Sequence, residues 1–303
     1  MPCTSPIAAF QSSKGGPLHF TKHNAGDRSL QVPCNQCGDC RTRRLSDWGM
    51  RCVHHASQYE ENCFLTLTYD DANLPEHGTL YKPHLQQFFK RLRHYFPVRH
   101  LSYYACGEYG ERTQRAHYHV CLFNADFNDK IAFRKIGEHT LYLSNKLTKI
   151  WGHGNTSIGS LTYQTACYTA AYIMKATLGK GCPKYVRLDE STGELIPLVQ
   201  PFAVMSNGGG RRSADSLPHG GIGAQWLHKY HQDIYGHDKD QIHMRGKAIK
   251  PARYYDKIYD TINPDHYEKI KQNRIDNAEK QTLESLRARA IITHARTIGK
   301  TQI

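Results

Sequence analysis

The chain predicts an α+β fold: a central sheet of antiparallel strands flanked by helices, a cysteine-rich helical segment before it and a helical extension after it. Two observations carry this expectation. Residues 63–69 (CFLTLTY), 100–109 (HLSYYACGEY) and 116–123 (AHYHVCLF) are short, rich in β-branched and aromatic residues, and end at turn-forming residues. Leu85, Phe88, Phe89, Leu92 and Tyr95 recur instead at the spacing of one helix face, opened by Pro83 and closed by Pro97.

Taken in order, residues 1–33 carry Ser, Gly, Pro and scattered charge without periodicity and read as an extended arm. The start has no basic stretch followed by an apolar one, so it is not expected to be a secretory signal, and the cytoplasm is the expected compartment. Cys34, Cys37 and Cys40 form a C-x2-C-x2-C run. That spacing suits zinc, for which a tetrahedral site needs a fourth ligand: Cys52 is the leading candidate, with His54, His55 and Cys63 behind it. The competing reading is that these are buried thiols packing as small hydrophobes. From Asp39 to Tyr59 the pattern is helical, with Leu45, Trp48, Cys52 and His55 on one side and Arg41, Arg43, Arg44 and Arg51 beside them. The basic side is a candidate DNA contact, and a solvated helix face accounts for it equally well.

Strand 63–69 ends at the turn Asp70-Asp71-Ala72-Asn73, and the helix around residues 85–95 faces its apolar stripe to a core. Residues 100–109 and 116–123 bracket the polar loop Gly110–Arg115 and read as adjacent antiparallel strands. Side chains alternate along a strand, so His117, His119 and Cys121 share one face while Tyr118, Val120 and Leu122 share the buried one. Residues 161–178 read as a helix, favoured by Ala166, Ala170 and Ala171 and followed by Gly179. Short strand-like pieces follow at Lys184–Leu188 and Leu195–Val204, then a glycine-rich loop bearing Arg211 and Arg212, which reads equally as a clamp over DNA or as surface loop. Residues 264–298 read as one helix. The expected divisions are 1–60, an arm with the Cys-rich basic segment; 61–257, the sheet domain; and 258–303, the helical extension.

Composition narrows the partner. Forty Lys+Arg against 27 Asp+Glu give a net charge of +13, and 19 Tyr, 10 Phe and 3 Trp accompany them. A cation excess with many aromatics favours a polyanion with unpaired bases. No apolar run approaches the ~18–20 residues needed to span a bilayer, so a membrane is not an expected partner.

The chemistry sits in two short motifs. His117-Tyr118-His119 puts two imidazoles on one strand face, able to grip one divalent ion, and Glu108 on the neighbouring strand offers a carboxylate. Mg2+ or Mn2+ would be the working ion, since a carboxylate with water completes their octahedron, while imidazole ligands also tolerate Mn2+, Co2+ and Zn2+. Tyr168 and Tyr172 lie one helical turn apart, so both phenols reach one phosphate, and Lys175 is placed to lower a phenol pKa or neutralise a phosphate oxygen. Taken singly, an H-x-H is more often ordinary surface or core and a Y-x3-Y is usually packing. Their conjunction argues for breaking and rejoining DNA through a phosphotyrosine.

At these residues the chain resembles the His-hydrophobic-His (HUH) endonucleases of rolling-circle replication, and more closely the replication initiators of small single-stranded DNA bacteriophages of the microvirus group, gokushovirus branch. FLTLTYDDANLP (64–75) is similar to the family's first motif, CGEYGERTQRAHYHVCLF (106–123) to its metal motif and YTAAYIMK (168–175) to its two-tyrosine motif. PCNQCGDC, GIGAQWLHKY and PARYYD resemble further recurring blocks, so the likeness covers about residues 33–256. The resemblance implies an HUH/RRM-like sheet of about five strands. It also implies origin nicking with covalent attachment and strand rejoining, His117 and His119 as metal ligands and Tyr168 and Tyr172 as nucleophiles. Glu108 matches the third ligand of related circular-virus initiators. Single-stranded and origin double-stranded DNA, host helicase and polymerase, and the bacterial cytoplasm come with the family. Tyr118 departs from its usual aliphatic middle residue.

Two other readings compete. A relaxase or transposase of the same superfamily would share the chemistry, but such relaxases often carry a three-histidine cluster and an N-terminal tyrosine, which this chain lacks. A non-catalytic, zinc-containing single-strand binder would use the tyrosines only for stacking. No P-loop is present, so unwinding is expected to fall to a partner.

Overall fold

A computed structural model describes residues 3–12, 15–21, 28–176, 185–189, 191–206, 220–236, 240–277, 282, 284–288 and 291–292. The chain divides into two compact units, residues 1–45 with 271–303, and residues 46–270.

In the first unit, the residues that the sequence presents as an extended arm form a three-stranded antiparallel sheet of β1 (Ile7–Ser12), β2 (Gly15–His19) and β3 (Arg28–Val32), with β1 central. The pairing escaped a periodicity reading because burial scarcely alternates here: of the β1 side chains only Ala9 is buried. Helix α1 (Gly38–Ala56) begins in this unit and continues into the second.

The second unit is organised by a seven-stranded antiparallel sheet. Its strands are β4 (Asn62–Thr68), β5 (Ser102–Tyr109), β6 (Ala116–Phe123), β7 (Ile131–Ile136), β8 (His139–Leu143), β9 (Thr156–Gly159) and β12 (Phe202–Met205). The order is β12-β5-β6-β4-β9-β8-β7, two strands more than the resemblance implied. A small hairpin of β10 (Val186–Leu188) and β11 (Leu195–Pro197) precedes β12. The three strands legible from alternation are the central ones. Strands β7, β8 and β9 are missed, and all six β7 residues are exposed, so no buried face marks that edge in the sequence; the strand-like pieces at Lys184–Leu188 and Leu195–Val204 contain β10, β11 and most of β12.

One sheet face carries the core. Leu65, Leu67, Ala105, Tyr118, Val120 and Leu122 pack with Leu85, Phe88, Phe89 and Leu92 of α2 (Lys82–Tyr95) and with Leu147, Ile150 and Trp151 of α3 (Asn145–Trp151). Each fully buried Val, Leu, Ile or Phe side chain among them contributes about 1.5–3 kcal/mol by leaving water. Ser144 caps α3 by accepting from the Leu147 amide at 3.0 Å. Arg91 donates to the Ile150 and Trp151 carbonyls at the other end of α3, both at 2.6 Å.

A second cluster joins Met50 of α1 to α5 (Ala224–Tyr235), the hairpin β13 (Ile242–Met244)–β14 (Lys247–Ile249), α6 (Arg253–Ile262) and the start of α7 (Pro264–Asp276). The blocks GIGAQWLHKY and PARYYD build it. A Cβ at Gly223, whose φ is +86°, would meet Tyr255 Oη at 2.7 Å, so the backbone passes where only glycine fits. Arg51 lies between the rings of Trp48 and Tyr254, at 4.1 and 3.8 Å, and donates to the Ile222 carbonyl at 2.9 Å. It is a packing residue, not a phosphate contact.

The single helix expected over 264–298 is interrupted: α7 ends at Asp276, Asn277 is in a turn, residue 282 is not helical, and residues 284–288 are helical again. Among the described residues no helix is long and apolar enough to cross a membrane.

Candidate functional site

The site lies on the other face of the large sheet. Registers Glu108↔His117, Cys106↔His119 and Tyr104↔Cys121 between β5 and β6, and Thr68↔His117 and Thr66↔His119 between β4 and β6, put these side chains on one face. The tight hairpin sets the first register, which is why Glu108 and His117 meet across nine residues of chain.

Glu108, His117 and His119 converge: Glu108 Oε1 lies 2.7 Å from His117 Nε2 and 2.9 Å from His119 Nε2. Glu108 is 2% exposed, and its Oε2 makes no hydrogen bond in the described structure. The His117 tautomer follows from its other nitrogen, which must donate to the Arg115 carbonyl at 3.0 Å because a carbonyl only accepts. In the neutral ring Nε2 is then a bare lone pair aimed at a carboxylate oxygen. Such a contact needs a cation between the two, either a proton or a metal ion. Without metal the proton serves: burial pushes His117 down, but the Glu108 and Arg115 contacts outweigh it and hold its pKa above the ordinary value. His119 goes the other way, lowered first by burial, with the charge of His117 adding to it. The same pocket therefore pushes its two imidazoles in opposite directions. An orphaned buried oxygen and two Nε2 atoms within 4.8 Å of a carboxylate form a donor set that suits a divalent ion.

Helix α4 (Tyr163–Ala176) packs on this face. Thr169 Oγ1 meets Cys121 Sγ at 3.6 Å, Ala166 and Ala170 are buried, and a Cβ on Gly49 of α1 would meet Cys167 Sγ at 2.5 Å, so small residues let the helix come close. Tyr168 stands edge-on to His119 with ring centroids 5.0 Å apart, and 44% of it is exposed. It is both beside the triad and partly open to solvent. Tyr172 and Lys175 are on the same helix, and their side chains lie outside the described residues.

Thr66 was read only as part of a strand. Its hydroxyl lies 3.2 Å from His119 Nδ1 and orients that ring. The signal was present: Thr66 and Thr68 alternate with Leu65 and Leu67 in FLTLT, the mark of a polar face on a central strand. The two threonines also line an open hollow of about 420 Å³ with Phe133, Ser144, Asn155 and Ser157.

The cysteine run lies in the first unit. Cys34, Cys37 and Cys40 do come together, but the fourth thiol in reach is Cys3, not Cys52. Cys52 is buried in the second unit against Cys121, and burial pushes its thiol pKa well up. The alternatives are also engaged: His54 stacks on Trp226 at 3.6 Å, His55 contacts Ser102 at 2.7 Å and Cys63 reaches the Ala125 carbonyl at 3.5 Å. Arg41 and Arg43 are half-buried and Arg44 is exposed, all on α1 within the first unit. Arg211 and Arg212 lie outside the described residues.

Residues 62–177 match the model of the family described as Replication-associated protein ORF2/G2P. The chain is 29% identical over 309 residues to Replication-associated protein ORF2 of Spiroplasma virus 4, covering 93% of this chain and 88% of that one. It is 28% identical over 284 residues to Replication-associated protein VP4 of Bdellovibrio phage phiMH2K, covering 88% and 80%. Replication-associated protein ORF4 of Chlamydia phage 1 is 29% identical over 161 residues, covering 50% and 40%. No solved structure matches the chain.

Proposed function

From the premise that the chain is a relative of the replication-associated proteins of single-stranded DNA phages, we propose that it initiates rolling-circle replication by nicking origin DNA with a tyrosine. The observation that carries the proposal is an exposed tyrosine, Tyr168, set against a Glu-His-His triad in which Glu108 and His119 are buried and His117 half-buried, and whose geometry calls for a cation. Glu108, His117 and His119 would hold a divalent cation, Mg2+ or Mn2+, which would supply Lewis-acid positive charge to the scissile phosphate.

The chain's own residues do the rest. The Arg115 carbonyl and Thr66 hydroxyl orient the two imidazoles. Tyr168 Oη attacks phosphorus and gives its proton to solvent, to which the ring is open; the P–O3′ bond breaks and the departing oxygen takes up a proton. The products are a 5′-phosphotyrosine and a free 3′-hydroxyl that primes synthesis. Because one phosphoester replaces another, the energy of the bond is kept for rejoining. Tyr172, one turn on, attacks the regenerated junction, and the released 3′-hydroxyl then closes the first strand by displacing Tyr168. Lys175, three residues past Tyr172, balances the phenolate charge. Single-stranded and origin double-stranded DNA are the substrates, the cytoplasm of the infected bacterium is the setting, and host helicase and polymerase extend the primer.

The test incubates the protein with labelled single-stranded DNA of its own genome and Mn2+ and looks for a heat-stable adduct on a denaturing gel. We expect an adduct that EDTA suppresses and that the double variant Tyr168→Phe, Tyr172→Phe lacks, with the single variants showing which phenol acts first. DNA binding without any adduct, whatever the divalent ion, would overturn the proposal in favour of a non-catalytic binder.

A further inference from the structure

We propose that Cys3, Cys34, Cys37 and Cys40 bind one zinc ion that holds the first structural unit together. The four sulfurs lie within 4.8 Å of one another, with Cys3 Sγ 3.5 Å from Cys34 Sγ and 3.7 Å from Cys37 Sγ. Zinc–thiolate bonds of about 2.3 Å in a tetrahedron set sulfurs about 3.8 Å apart. A disulfide would bring them to about 2.05 Å, and none of the four is in a disulfide. The spacing suits four ligands of one tetrahedral ion.

The backbone around them suits thiolates. The Gln36 and Cys37 amides donate to Cys34 Sγ at 3.4 and 3.2 Å, and the Cys34 amide donates to Cys3 Sγ at 3.3 Å. Asn35, at φ +61°, turns the chain so that those amides point inward. Amide donors aimed at sulfur stabilise the charge that four thiolates and one Zn2+ leave behind, the thiol protons going to solvent. Four protein ligands fill the tetrahedron and leave no open position, so the role is structural.

Topology says what the ion would hold. Cys3 precedes β1, Cys34 follows β3, and Cys37 and Cys40 lie at the start of α1. One ion would thus tie both ends of the three-stranded sheet to the helix that carries Arg41, Arg43 and Arg44. Among the described residues of this unit the buried apolar side chains are Ala9 and two of the cysteines themselves. A unit with so little core needs a staple, and a metal is the one its side chains offer.

The inference does not depend on nicking, and its test reads metal directly. Full-length protein purified without chelator is assayed for bound metal by mass spectrometry, then reloaded with Co2+. We expect one zinc per chain, the intense visible bands of tetrahedral cobalt thiolate, and at least about tenfold less zinc retained after dialysis by Cys3→Ser and Cys34→Ser. Cys3→His, which keeps a ligand, restores it, while Cys52→Ser and His117→Ala retain full zinc. Wild-type protein without zinc, stoichiometric iron in its place, or zinc lost from Cys52→Ser but kept by Cys3→Ser would overturn the proposal.

Discussion

The Glu-His-His triad and the four-cysteine cluster are both candidate metal sites, and they stand in opposite relations to the fold around them. The triad rests on β5 and β6, paired on both sides within a seven-stranded sheet whose other face is covered by Leu, Phe and Trp side chains. There the fold holds the site. The cysteines join chain ends around a sheet with almost no buried apolar surface, so there the site would hold the fold. Rigid positioning by a large core suits chemistry, whereas a staple suits a small basic appendage.

The largest effect that would sharpen this contrast is on activity. His119→Ala is expected to lower adduct yield about a thousandfold or more, since several kcal/mol of transition-state stabilisation goes with the bound ion. Its melting temperature should move by no more than the few degrees that about 1 kcal/mol represents, because the core lies on the opposite face. A variant that loses its cooperative melting transition would show that the triad also holds the fold.

Next in size is the response to acid. Burial lowers the pKa of both His54 and His55 from 6.5 to about 4. Above pH 6.5 both are neutral folded and unfolded, and they contribute no pH dependence. As pH falls from 6.5 to 4 the unfolded chain takes up protons that the folded chain refuses, so stability drops by up to about 3 kcal/mol per histidine, with no further loss from them below 4. His117 has the opposite sign without metal. Its raised pKa favours the fold below pH 6.5, and that contribution disappears as pH rises through the folded value. A divalent ion competes with that same proton, so adduct formation at limiting Mn2+ should weaken as pH is lowered. Denaturant melts from pH 7 to 4 test the histidines. A flat profile in wild type, or a slope unchanged in His55→Asn, would remove the core around α1 from the account.

The smallest effect concerns Tyr118. Its hydroxyl contacts Tyr69 Oη at 2.9 Å, donates to the Tyr81 carbonyl at 3.0 Å and accepts from the Tyr81 amide at 3.0 Å. That explains how a tyrosine occupies a position where its resemblance family keeps an aliphatic residue: the phenol oxygen is fully used inside the core. Tyr118→Phe should cost about 1–2 kcal/mol in chemical denaturation, by leaving the Tyr81 groups unpaired, with adduct yield unchanged. An equal fall in yield would mean that the two faces of β6 are coupled.

Much of this was legible in advance, and the legible parts share a physical character. Helix α2 showed its 3.6-residue period, and the strands around the Gly110–Arg115 turn showed theirs. The triad could be read because Glu108 and His117 face each other across a short hairpin, where closing the loop costs little entropy and the register follows from the turn. Helix α4 could be read from its alanines, though the approach of Tyr168 to His119 needed the coordinates.

What stayed hidden depends on contacts between distant segments. Cys3 meets Cys34 across 31 positions occupied by three strands, and nothing local marks it as the fourth thiol in place of Cys52. Strand β12 joins β5 through the register Phe202↔Gly107, and the exposed β7–β8 hairpin extends the other edge; neither is announced by a buried face. Thus the amino-acid sequence by itself determined the central hairpin, the helices α2 and α4 and which residues share the second face of β6. Only the tertiary structure decided which distant segments complete the sheet and which thiol completes the cluster. A local pairing is settled by side-chain period and turn chemistry, while a distant one is settled by competition among all the surfaces the chain can bury.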